Sequence, residues 1–277
     1  MKVTFWGTRG SLPASGPETQ YYGGNTPCIG ITSGEHLVVL DAGSGIRRLG
    51  MHLNRVYPRV DIFLTHLHTD HIQGMGFFQP LYQPGCEIHI WGPASDKLSL
   101  AERLGRYLSP PLFPIYFRDL PSNIHFHELP CGDIPVGDLT VRAEMVTHPG
   151  PTVGYRVSNS RAALTYLPDH EPALGARYFP QGKEWTSGFD LAYRTDLLIH
   201  DAQFTSAEYP QRIGWGHSTY EQAILFAQQA EVRQLLFFHH DPARTDEQLS
   251  AIMNHLYEHN HLPFQMGMAR EGTSREL

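Results

Sequence analysis

Short apolar runs recur along the chain, each bounded by Gly, Pro, Ser, Thr, Asn or Asp, a pattern that predicts strands more often than long helices. Residues 2–6 form the first run. Residues 28–33 and 36–41 read as a hairpin turning at Ser33-Gly34-Glu35. Further strands are expected over 60–65, 87–91, 124–129, 139–147, 153–158, 162–167, 196–200 and 234–238. Two helices are expected near 219–231 and 245–259, with Ser218 or Thr219 and Thr245 as N-cap candidates. Another is expected over 96–108, capped by Asp96, and a short one over 71–79. Residues 109–117 are too rich in proline for a regular helix and read as a lid over a pocket. Within each half strands come first and helices after. That order suits two sheets packed face to face with helices outside. Neither a repeat nor a shift in composition divides the chain, so one domain over residues 1–277 is expected.

The 277 residues are 41% hydrophobic and 18% charged, enough to bury a core without staples. A net charge of −7 argues against a long, sequence-independent grip on nucleic acid. Three widely spaced cysteines, Cys28, Cys86 and Cys131, suggest a reducing compartment and no disulfide framework. The start of the chain does not read as a signal peptide, and no apolar stretch approaches the ~18 residues of a membrane span. A cytoplasmic protein without membrane contact is the expectation.

The chemistry concentrates in His66-Leu67-His68-Thr69-Asp70-His71, three imidazoles and a carboxylate delivered at the end of a strand-like run. Neutral imidazole nitrogens and carboxylate oxygens are ligands that Zn²⁺, Mn²⁺ and Fe²⁺ accept. His148, Asp169, Asp201 and His239 each follow or end another such run. A lone histidine at a strand end is more often structural than a ligand. The repeated placement, beside the strong cluster, raises the group.

The order H-x-H-x-D-H, a later His, a later Asp and a last His resembles the metallo-β-lactamase fold superfamily, from Gly7 to Asp241. Asp41-Ala42-Gly43 resembles its Asp-containing turn near the metals. Gly214-Trp215-Gly216-His217-Ser218-Thr219 resembles the ribonuclease Z and phosphodiesterase branch. The resemblance implies an α/β fold, a four-layer αβ/βα sandwich of the metallo-β-lactamase type. It implies two divalent metal ions in a cleft at one edge, zinc first, with manganese or iron as alternatives. His66, His68 and His148 would hold the first ion, Asp70, His71 and His239 the second, and Asp169 would bridge them. A metal-bridging hydroxide would be the nucleophile. His217 resembles the branch's catalytic histidine, and Asp70 is counted with it as catalytic; the alternative for His217 is a helix cap shared with Ser218. Asp41 and Asp201 are candidates to orient ligand imidazoles through the other ring nitrogen. His170 is a candidate substrate contact. His240 is a candidate contact behind the ligands, with His239 favoured over it as ligand by the strand end and by family placement. Residues 21–26 are a candidate substrate-side wall.

The resemblance thus implies a metal-dependent hydrolase acting on a small phosphodiester such as a cyclic nucleotide. The interval between His148 and Asp169 is too short for the long tRNA-gripping arm of ribonuclease Z. Together with the net charge, this sets the partner expectation: a small anionic substrate and no long nucleic acid, with homo-oligomerisation left open. Two alternatives stand beside it. One is hydrolysis of a lactone, thioester or other carbonyl ester by the same hydroxide. The other is a di-iron redox or oxygen-sensing protein, against which stands His68, where that branch usually has an acidic residue.

Overall fold

The computed structural model describes residues 1–129, 132–174, 176, 178–180 and 182–277. Cys131 lies outside the described residues; Cys28 and Cys86 are free and buried. Six strands of the first half lie side by side in sequence order: β1 (Lys2–Gly7), β2 (Cys28–Ser33), β3 (His36–Leu40), β4 (Arg59–Phe63), β5 (Glu87–Gly92) and β6 (Asn123–Glu128). A second sheet holds β7 (Asp133–Val136), β8 (Leu139–Met145), β9 (Val153–Ser158), β10 (Ala163–Leu167), β11 (Leu197–Asp201), β12 (Gln234–Phe238) and β13 (Gln265–Met268), again in order. The final strand, β14 (Ser274–Glu276), crosses back to pair antiparallel with β1.

The helices are α1 (Gly45–Met51), α2 (Thr69–Ile72), α3 (Leu100–Gly105), α4 (Phe189–Ala192), α5 (Tyr220–Gln229) and α6 (Asp246–His259). Alternation along each strand sorts the side chains into layers. Val38 and Leu40 of β3 face Tyr155, Tyr166 and Phe238 of the second sheet. Leu37 and Val39 of the same strand face Ile46 and Leu49 of α1. Leu198, Leu235 and Phe237 turn outward onto Ala223 and Phe226 of α5 and Leu249 of α6. The result is the expected four-layer sandwich. Strands covered on both faces read as unbroken apolar runs, which is why β10 to β12 stood out in the sequence.

Several elements differ from expectation. The helix over 96–108 contracts to α3, and Ser99 replaces Asp96 as its cap. Ser99 and Glu102 form a reciprocal capping box, which satisfies two orphan amides at once. The helix over 71–79 breaks into α2 and two short 3₁₀ turns, the second with Pro80 in its first turn. β7 went unread because of Pro135, which is tolerated there since β7 is an edge strand. Of residues 109–117, Tyr116 and Phe117 line a cavity of about 670 Å³ beside β6, with Leu108, Leu120 and Phe126.

The caps of the two long helices match the sequence reading. Thr245 Oγ1 accepts from Gln248 N at 3.2 Å, and Gln248 Oε1 accepts from Thr245 N at 2.9 Å. Thr245→Ala is expected to lower stability by about 1 kcal/mol, measured from the midpoint of urea unfolding. An unmoved midpoint would remove this cap from the account of α6.

Candidate metal centre

β3 and β4 of the first sheet, and β8, β10, β11 and β12 of the second, carry the site near their carboxyl ends. Within each sheet these strands run in one direction, so their ends deliver side chains to a common edge. Asp41 follows β3, His66 lies three residues beyond β4, His148 three beyond β8 and Asp169 two beyond β10. Asp201 ends β11 and His239 follows β12. Asp41 (φ 61°) and His239 (φ 58°) leave their strands in the left-handed region. A non-glycine residue there costs on the order of 1–3 kcal/mol, and the sharp change of direction turns each side chain into the site.

Two groups of donors face one another across Asp169. Donor atoms of His66, His68, His148 and Asp169 lie within 4.8 Å of one another, as do those of Asp70, His71 and His239. Asp169 Oδ2 is 3.7 Å from His66 Nε2 and 3.6 Å from His148 Nε2. Its Oδ1 is 3.0 Å from His71 Nε2 and 3.3 Å from His239 Nε2. Asp70 Oδ2 approaches the same two imidazoles at 3.3 and 3.2 Å. One carboxylate thus presents an oxygen to each group. His66 Nε2, His71 Nε2 and Asp169 Oδ1 are buried and make no hydrogen bond. Buried polar atoms are normally paired, and here the unpaired ones converge, so the donor set fits divalent ions.

The charge state of three of the imidazoles agrees with that fit. Burial pushes His66, His68 and His148 below the usual imidazole range. They are therefore neutral at physiological pH, as ligation requires. Burial opposes ionisation of Asp70 and Asp169, yet the surrounding imidazoles hold both well below the carboxylate range. Burial would also lower His71, but Asp169, Asp70 and Asp41 outweigh it. Three carboxylates around one imidazole make this spot a well for positive charge.

The other ring nitrogens of His66, His71 and His148 are tied down behind the donors, whereas His239 Nδ1 is buried without a partner. His71 Nδ1 donates to Asp41 Oδ2 at 2.8 Å, and Tyr166 Oη donates to the same oxygen at 2.9 Å. Thr65 Oγ1 donates to Asp41 and lies 3.1 Å from His66 Nδ1, which carries the orientation one residue further. His148 Nδ1 donates to the Gly216 carbonyl at 2.8 Å. Such outer contacts fix tautomer and direction. Asp41→Ala is therefore expected to weaken metal affinity by about 10–100-fold, read by titration against a chromophoric chelator. Unchanged affinity would show that burial alone orients His71.

His217 belongs to neither of these two groups but stands beside both, one of its ring nitrogens lying within 4.8 Å of donor atoms of Asp169 and His239. Its ring stacks on His239 at 5.0 Å between centroids and meets His148 edge-on at 5.2 Å. Its Nδ1 donates to Asp201 Oδ2 at 2.6 Å. Burial disfavours the imidazolium, but Asp201 reverses this and raises the pKa to about 9. The cap of α5 is Thr219, so His217 is not needed there. Asp201 holds His217 and the Ser218 and Gln203 amides; it orients none of the ligand candidates.

Other expected residues lie elsewhere. His170 turns away from the cluster and is fully buried, its Nδ1 3.0 Å from His200 Nε2 and its ring against Phe226. A substrate cannot reach it there. The His240 ring also points away, bonding the Ala269 carbonyl at 2.9 Å, so of the adjacent pair it is His239 that enters the cluster. Residues 21–26 are not a wall of this site. Tyr22 is buried under α6, and Asn25 joins Thr8, Arg9 and Glu271.

Besides Thr65 and Tyr166, three contributors escaped the sequence reading. Ser11 N donates to Asp70 Oδ2 at 2.9 Å. Gly10 packs so closely on His239 that a Cβ would come within 2.4 Å of its ring. Glu171, fully buried, accepts from Tyr209 Oη at 2.7 Å, Gly214 N at 3.0 Å and Gly216 N at 2.9 Å. It thereby holds the carbonyl that orients His148. Only its place beside Asp169-His170 and the spaced glycines at 214 and 216 hinted at this.

Fold and site together define the class, a metal-dependent hydrolase. A family model described as a β-lactamase superfamily domain matches residues 36–240, and the chain belongs to that superfamily. Ribonuclease Z of Archaeoglobus fulgidus is 26% identical over 282 positions, covering 86% of each chain. The metallo-β-lactamase fold protein YhfI from Bacillus subtilis shares the fold at a TM-score of 0.72, with 18% identity over 99% of both chains. Human tRNase Z, short form, does so at 0.68, with 22% identity over 100% of this chain and 99% of that one.

These likenesses correct the partner expectation. The exclusion of long nucleic acid is overturned by relatives named Ribonuclease Z that align with most of the chain. The net charge misled because it is a sum over the whole surface, whereas cations held at such a donor set would reverse the field where a substrate meets it. Among the described residues no helix is long and apolar enough to cross a membrane.

Proposed function

We propose that the chain acts as one domain, a phosphodiesterase dependent on two divalent ions, zinc first. His66, His68 and His148 would hold one ion, Asp70, His71 and His239 the other, and Asp169 would bridge them. Ions so held supply Lewis acidity toward a phosphoryl oxygen and an activated water at neutral pH. Asp41, Thr65 and the Gly216 carbonyl keep the donor nitrogens aimed. Ser11 N steadies Asp70, which acts as a ligand and not as a separate proton carrier.

The observation that carries the reading is the His217–Asp201 pair at 2.6 Å, set against the donors of Asp169 and His239 but not needed to complete either three-residue set around the bridge. With Nδ1 engaged, Nε2 is the ring nitrogen left to meet a substrate. A phosphodiester expels an alkoxide, a strong base that benefits from a positioned proton donor. The relatives named Ribonuclease Z support the same bond class.

The test compares bis-p-nitrophenyl phosphate, a cyclic nucleotide and a precursor tRNA with a lactone and a thioester. Turnover of one or more phosphodiesters, lost with a chelator and regained with Zn²⁺, is the expected result. Turnover of the carbonyl esters alone would overturn the proposal. The phosphodiester arms decide between a low-mass substrate and RNA.

A further inference from the structure

A separate group of imidazoles lies on the first sheet. β5 and β6 pair in parallel, with His89 opposite His125 and Trp91 opposite His127. Alternation places Glu87, His89 and Trp91 of β5 on one face with His125 and His127 of β6. Ile88, Ile90, Ile124 and Phe126 go to the opposite face, under the helices. Donor atoms of Glu87, His89 and His125 lie within 4.8 Å of one another. Glu87 Oε2 is 2.6 Å from His125 Nε2, and the rings of His89 and His125 stack at 4.8 Å. Behind them His127 Nε2 lies 2.9 Å from His89 Nδ1, and Trp91 stacks on His127 at 4.0 Å. A hydrogen bond donated backward by the other ring nitrogen is how ligating imidazoles are usually oriented.

Two of the three donors are accessible, the side chains of His125 and Glu87 being 46% and 40% exposed. Asn123 Nδ2 donates to Glu87 Oε1 at 2.6 Å and steadies the carboxylate. Arg59 on β4 stands opposite Glu87, but both its Nε and Nη2 are bound to Asp61 at 2.8 Å, so its charge is paired. Burial lowers the pKa of His89 and His127, and hydrogen bonds from Asn123 and His125 lower that of Glu87. Two imidazoles and a carboxylate are donors that suit Zn²⁺ and its neighbours in the transition series. Glu87 opens β5, whereas the large cluster follows the carboxyl ends of its strands, so the two groups are distinct.

We propose that Glu87, His89 and His125 form an additional transition-metal site that takes a single divalent ion and clamps β6 onto β5. Among the described residues β6 is the last strand of its sheet, with an unpaired edge. An ion spanning the two strands would stabilise that edge by mass action without altering the active site. The proposal does not depend on which bond the enzyme cleaves.

The test titrates Zn²⁺ alone into the zinc-loaded protein by calorimetry and follows hydrogen exchange of residues 123–128 with and without the added ion. One further saturable equivalent and slower exchange across 123–128 are expected. His89→Ala with His125→Ala should weaken that equivalent by more than the ~10–100-fold that loss of an outer contact costs, leaving the zinc content of the large cluster unchanged. Should the double variant fail to fold, Glu87→Gln should also weaken the equivalent, in a conservative background. Absence of a further equivalent, one that survives these substitutions, or exchange at 123–128 indifferent to zinc would each overturn the site.

Discussion

Replacing His217 with alanine is expected to lower phosphodiester turnover by about 10²–10⁴-fold, the range for loss of a general acid, with metal content per chain unchanged. His217 is not one of the seven proposed ligands, so its removal leaves all of them in place, although its ring lies within 4.8 Å of donors of Asp169 and His239. Asp201 keeps its bonds from the Ser218 and Gln203 amides, and Thr219 still caps α5, so the local backbone should persist. Leaving-group dependence separates proton donation from simple positioning. A p-nitrophenolate departs with little help, whereas the alkoxide of a nucleotide needs a proton. The loss should therefore be smaller for bis-p-nitrophenyl phosphate than for a nucleotide diester. Equal losses would make His217 a positioning residue, and an unchanged rate would remove it from the chemistry.

Replacing Asp169 with asparagine is expected to abolish turnover and to reduce bound metal from about two ions to fewer than one per chain, measured by elemental analysis after exhaustive dialysis. Two divalent ions held close together repel strongly, and an anionic bridge offsets this. Asp169 is the carboxylate whose two oxygens divide between the groups, Oδ2 toward His66 and His148 and Oδ1 toward His71 and His239. Asparagine is neutral and offers an oxygen on one side only. Its amide would donate to imidazole nitrogens on the other side, occupying atoms that a cation needs. It would also leave His71 with two carboxylates about it instead of three. Retention of two tightly bound ions by the variant would refute the bridging role.

The legible parts of this protein are those governed by short stretches of chain. β1 to β6 were found from period-two alternation and apolar runs, as were β8 to β12; the cap of α6 was read as Thr245 and that of α5 as Ser218 or Thr219, of which Thr219 serves. The illegible elements were short or carried a contrary signal. β13 and β14 span only four and three residues, α1 contains Gly45 and Gly50, and β7 contains Pro135.

By itself the sequence determined the superfamily and the stock of chemistry. The spacing of His66, His68, Asp70 and His71 is a local property, because a strand end and one helical turn bring them together. Tertiary structure decided where the distant residues point. His170 and His239 occupy equivalent-looking places after strands, yet one faces His200 in the core and the other Asp169 in the cluster. The difference comes from a left-handed turn at His239 and from neighbours far away in sequence, Gly10 against its ring and Glu171 beneath the loop that orients His148. Asp201, expected behind a ligand, serves His217 instead, because β11 ends beside the turn into α5. Net charge, a sum that contains no positions, was for the same reason unable to say which substrates the site admits.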